Sequence, residues 1–191
     1  MARLRREDPE YRARTEQLEA DLQARAIAER EASRPVLDDL RAIGIDVDSL
    51  WDLYKVPDAR PHAIPVLLAH IVREYPDRVL EAIGQGLDDK ASRSWWDDLR
   101  AILRTTEHPV VRDRVACAMA TCAAREHYED LLTFLRDDSL GESRIYFLRP
   151  INRIGNRISD GEGQSVMASV AGDSVLGKEA TAILKGRSPK G

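Results

Sequence analysis

Trp96-Asp-Asp-Leu99-Arg-Ala-Ile-Leu103 sets three large apolar residues at i, i+3 and i+7, one face of a helix. Thirty-two residues earlier Ile64, Leu67 and Ile71 repeat that spacing, and 32 residues later Tyr128, Leu131 and Leu135 repeat it again. Three matched positions in three segments mark an internal repeat. A second apolar run follows each segment. Pro76 precedes Val79, Leu80, Ile83 and Leu87; Pro109 precedes Val111, Val115, Met119 and Cys122; Gly141 precedes Ile145, Leu148 and Ile151. Each unit reads as helix, turn, helix. The apolar stripe of a hairpin is too wide for a lone pair to cover, so neighbouring units must stack.

The composition agrees with an all-α chain. Of 191 residues, 43% are hydrophobic, 32% charged and only 5% aromatic, and no run of alternating Val, Ile and Thr is present. That balance excludes a membrane protein and a wholly disordered one. No 18-residue apolar run exists, and MARLRREDPE lacks the apolar stretch of a secretion signal, so the expected location is cytoplasmic.

The boundaries follow from composition shifts. Residues 1–34 carry eight basic and eight acidic groups and few apolar ones, mainly Leu4, Tyr11, Leu18, Leu22 and Ile27. They read as a charged helical arm starting after Pro9, with a thin stripe that could pair with another helix but is not sustained for several heptads. Residues 35–60 read as capping helices, the first opening at Ser33-Arg-Pro and stopping at Gly44, the second capped by Asp48 or Ser49. Residues 61–186 hold the repeats. A degenerate unit from Gly161 to Gly186 forms the C-terminal cap, and 187–191 a flexible tail.

His108-Pro-Val-Val-Arg112, followed by Ala116 and Ala118, resembles the Pro-x-Val-Arg opening and small second-helix residues of HEAT repeats, an armadillo-type superfamily; Ser143-Arg144 begins a weaker copy. The resemblance covers about residues 61–157. It implies an α-solenoid, an α-α superhelix of hairpins, that binds macromolecules along its second helices. Pro150 departs from the pattern and should kink its helix.

Net charge divides as 0 over residues 1–34, −7 over 35–138 and +3 over 139–191. An acidic body argues against general nucleic-acid binding, but the 32-residue register locates a basic stripe. Arg114, Cys117, Thr121 and Arg125 of the second unit correspond to Tyr146, Arg149, Arg153 and Arg157 of the third, spaced i, i+3, i+7 and i+11. Their first-unit equivalents Ala82, Gln85 and Asp89 carry no positive charge. This face, with Tyr146 as its aromatic contact, would meet an acidic protein surface or a phosphate backbone. The alternative is a solvated row paired to acidic neighbours.

Trp96 belongs to the periodic core, whereas its neighbour Trp95 is a candidate partner contact. Trp95 with Asp98 is also what a reading as a HEAT-like DNA glycosylase would need. His62, His70, His108 and His127 have no metal-ligand spacing; His70 is expected as a satisfied core residue and His127 as part of a helix cap. Cys117 and Cys122 diverge by roughly 140° on one helix, which suits packing rather than a disulfide. Gly84-Gln-Gly86 and Gly161-Glu-Gly163 lack the context of a nucleotide loop.

The expected function is therefore a non-enzymatic adaptor that needs no cofactor or metal and meets a protein partner through Trp95, Arg114, Arg125, Tyr146, Arg149, Arg153 and Arg157. A nucleic-acid-binding module is the alternative. A third reading is an assembly role in which the N-terminal helix makes a homo-oligomer.

Overall fold

A computed structural model describes residues 9–186, with side chains from Tyr11 onward. The expectations for Leu4 and for the tail 187–191 lie outside the described residues. Among those described, every regular element is helical: α1 Pro9–Ala42, α2 Arg60–Ile71, α3 Asp77–Leu87, α4 Trp96–Thr105, α5 Pro109–Cys122, α6 Tyr128–Arg136, α7 Ile145–Ile158, α8 Glu162–Ser169 and α9 Gly177–Leu184. Short 3-10 turns at Leu50–Lys55, Lys90–Trp95, Arg125–His127 and Asp138–Arg144 link them. No helix among the described residues is long and apolar enough to cross a membrane.

Local chemistry starts and stops these helices where the sequence calls for it. Pro61 and Pro109 occupy first-turn positions, where a missing N–H costs nothing. Ser49 and Asp89 accept backbone N–H groups two residues on and open their 3-10 turns. Gly44, at φ +85°, ends α1 in a paired C-terminal turn: its N–H reaches Arg41 O at 2.9 Å, and Ile45 N–H reaches Leu40 O at 3.0 Å.

One expected boundary is corrected. No helix begins at Ser33-Arg-Pro; α1 runs unbroken for 34 residues with Pro35 inside it. Ser33 does not cap. Its hydroxyl donates back to Glu29 O at 2.8 Å, a bond available only within a continuing helix. The burial of Ser33, Val36, Leu37 and Leu40 along one side holds this half of α1 on α2 and α3 and outweighs the bond that Pro35 cannot make.

All nine periodic residues are buried, with no more than 6% of any exposed. They belong to one core that runs from Val36 to Ala180. Sequential helices pair as α2 with α3, α4 with α5, α6 with α7 and α8 with α9, and contact between units runs through second helices, α3 on α5 and α5 on α7, and at the C-terminal end through α7 on α8, the most extensive helix contact. Two glycines allow close approach: a Cβ on Gly84 would overlap the Arg114 side chain, and one on Gly163 would overlap the backbone of Asn152. Helix α7 continues through Pro150, which is buried.

His70 is fully buried and satisfied. Its Nε2 meets Asp39 Oδ2 at 2.8 Å and its Nδ1 the Tyr75 hydroxyl at 2.6 Å, which ties α2 to α1. His127 stacks on Trp96, centroids 3.9 Å apart and 8° from parallel, while its Nδ1 accepts the Ala124 N–H at 3.1 Å.

Candidate binding face

Helix α7 uses its buried side, Phe147, Leu148, Ile151 and Ile154, to join the core. Residues three and four apart on the opposite side are left outward, so Tyr146, Arg149, Arg153 and Arg157 form one exposed row. Beside it, α5 contributes Arg114, half-buried with its stem over Gly84 of α3, then half-buried Cys117 and exposed Thr121. The two helices touch at the top of the row. Tyr146 is 37% exposed; burial first, then the Asp113 carboxylate, pushes its phenol above its ordinary pKa, with Arg114 acting against them.

The arginines differ in what holds them. Arg149 pairs with Glu179 of α9 at 2.6 Å. Arg153 donates to the Ala123 carbonyl at 3.4 Å, at the C-terminal end of α5, where Arg93 also donates to Cys122 O at 2.9 Å. Neither Arg153 nor Arg157 has a carboxylate partner among the described residues. Arg144 lies just before the row but is buried, held by Asp138, Gly141 O and Asp173.

Arg125 is not part of this row. Helix α5 ends at Cys122, and Ala123 is extended at ψ 133°, so Arg125 lies in the turn before α6 and is exposed there. The projected i+11 position required a helix longer than the one that forms. The first-unit positions also diverge: Ala82 is buried, Gln85 exposed and Asp89 half-buried.

Trp95 is half-buried against the core at the end of its 3-10 turn, and Asp98 is exposed in the first turn of α4. Trp95 ends a turn that packs on α5 and Asp98 lies on α4, a first helix; neither belongs to the α7 row. No family model, curated protein or solved structure matches the chain.

Both cysteines are free. Burial, with Asp88 adding to it, pushes the Cys117 thiol up to about 11, and burial pushes Cys122 to about 12. Neither is a thiolate near neutrality, so neither is poised as a nucleophile. Among the described residues no three His, Cys, Asp or Glu side chains gather at metal-binding distance.

Sequence reasoning missed Glu179, the counter-charge that occupies Arg149, and Asp113, which faces Tyr146. A signal was present: Glu179 follows Arg149 by 30 residues, the separation that also brings Ser143 to Asp113 across units.

Proposed function

We propose that the chain is a HEAT-like α-solenoid working as a non-catalytic adaptor, and that it meets an acidic surface of a protein partner on the face left open by α5 and α7. The observation that carries this reading is the α7 row, where Tyr146 stands with Arg153 and Arg157, two exposed guanidiniums lacking carboxylate partners among the described residues. A guanidinium offers a planar fork of donors matched to carboxylates, and a partly packed Tyr supplies contact area at low entropic cost. The register of second helices in contact, α3 on α5 on α7, supports the solenoid part of the proposal. Arg149 would join the interface only by exchanging Glu179 for a partner carboxylate.

The test is a comparison of wild type with Arg153→Glu/Arg157→Glu and with Tyr146→Ala in affinity capture from native lysate, with and without nuclease. A protein that survives nuclease and is lost with both variants supports the reading. Nucleic acid recovered alone and lost in the charge reversal overturns it in favour of a nucleic-acid module, whose affinity should then fall steeply with salt. Capture indifferent to both variants removes this face as the interface.

A further inference from the structure

Helix α1 carries one stripe that the body covers only in part. At 100° per residue, Tyr11, Leu18, Leu22, Ser33, Val36 and Leu40 fall within about 60° of one another. The last three are buried on α2 and α3, but Tyr11 is 48% exposed, Leu18 58% and Leu22 55%. The body takes hold at Glu29, which accepts the Trp51 indole N–H at 2.7 Å and pairs with Arg78. N-terminal to that point the same stripe runs on for roughly 27 Å at 1.5 Å per residue, uncovered. Where it leaves the body, Leu22 and Ala26 face Pro76 and Val79 across an apolar groove of about 560 Å³.

The charges beside the stripe indicate what covers it. Arg12 and Glu19, seven apart, flank one side; Arg14 and Asp21, also seven apart, flank the other. Between Arg12 and Asp21 each side therefore runs from basic to acidic along the helix; Arg25, past that stretch, lies beside the stripe at the groove where α1 meets the body. Such a pattern is self-complementary when two copies run in opposite directions. With Tyr11 of one copy against Leu22 of the other, and Thr15 against Leu18, Arg12 faces Glu19 and Arg14 faces Asp21, and the twofold axis repeats both pairs. Among residues 11–22 a parallel arrangement matches only Arg14 with Glu19, and it brings both bodies to the same end.

We infer that α1 is a homodimerisation helix, pairing antiparallel with α1 of a second copy through Tyr11, Leu18 and Leu22. The apolar seam is short, so the dimer forms by mass action in the micromolar range rather than as an obligate unit.

Sedimentation velocity on the full chain, from low to high micromolar concentration, tests this. The mass should climb toward twice the 21.5 kDa of one chain. Leu18→Glu/Leu22→Glu should hold it at one chain, and at a concentration where wild type is also a single chain the unfolding midpoint should stay close to wild type, because both side chains are more than half exposed. Arg12→Glu/Arg14→Glu should weaken self-association, and mixing it with Glu19→Arg/Asp21→Arg should restore a dimer of the two variants. For orientation, Tyr11→Cys chains mixed with Leu22→Cys chains should oxidise to a mixed disulfide dimer. A single-chain mass for wild type at every concentration, or a dimer that survives Leu18→Glu/Leu22→Glu, overturns the inference; efficient self-linking of Leu22→Cys alone, whose two copies would lie about 16 Å apart along the antiparallel pair, overturns the antiparallel arrangement.

Discussion

The indole N–H of Trp96 donates to Asp130 Oδ2 at 2.7 Å, reaching from the first helix of one unit to the first helix of the next. The Tyr128 hydroxyl, at the same place in the following unit, donates to Glu162 Oε1 at 3.3 Å. Both bonds span 34 residues, so the aromatic of the repeat serves twice: its ring fills the core of its own unit and its polar tip fastens the next.

Trp96→Phe keeps most of the ring volume but removes the donor, leaving Asp130 with Arg100 at 3.1 Å alone. It should lower the unfolding free energy by about 1–2 kcal/mol, and Tyr128→Phe, which loses a longer bond, by less. Urea denaturation followed by circular dichroism checks both; equal costs for the two variants would contradict the ranking.

His127 makes stability depend on mild acid. Burial, the largest cause, holds its pKa below the ordinary 6.5, and its Nδ1 must stay unprotonated to accept the Ala124 N–H. Between the lowered folded value and 6.5 the unfolded chain binds more protons, so the contribution is complete above 6.5 and is lost as pH falls through the folded value. His127→Phe, which keeps a ring against Trp96, should show a smaller stability loss than wild type between neutral pH and the low-pH side of 6.5, measured by urea midpoints across that window.

Gly163→Ala tests the closeness of α7 and α8. The new Cβ would meet the Asn152 backbone rather than a movable side chain, so the helices must part, at a cost of about 1–3 kcal/mol. Thermal unfolding should show a drop of several degrees, while Gly172→Ala, where a Cβ would meet nothing within 4 Å, should leave the midpoint close to wild type.

The thiol pKa values of about 11 for Cys117 and about 12 for Cys122 predict slow labelling in the folded protein. Ellman's reagent near neutral pH should modify the native chain far more slowly than the urea-unfolded one, with Cys117 reacting first because it is only half-buried. Rapid native labelling would mean that α5 opens readily.

How much of this was legible depended on the distance over which each feature is decided. The helices around Leu67, Leu99 and Leu131 could be read directly, because a period near 3.6 is a property of consecutive residues and needs no partner. The course of α1 through Pro35 could not: Ser-Arg-Pro has the form of a helix start, and only burial of Val36 and Leu40 on α2 and α3 favours continuation. At the candidate face, Tyr146, Arg149, Arg153 and Arg157 share a row because they share a helix. Arg125 was misplaced because register carried it beyond the real end of α5 at Cys122.

By itself the sequence determined an all-helical chain, the 32-residue repeat of core positions and which side of each helix turns inward, since these follow from local propensity and the spacing of apolar residues. Only the tertiary structure decided which arginines are occupied, with Arg149 held by Glu179 and Arg153 on the Ala123 carbonyl, and that the α1 stripe is covered at Leu40 but bare at Leu18. Ion pairing and burial depend on which surfaces meet, and residues 30 apart meet only after the helices have packed.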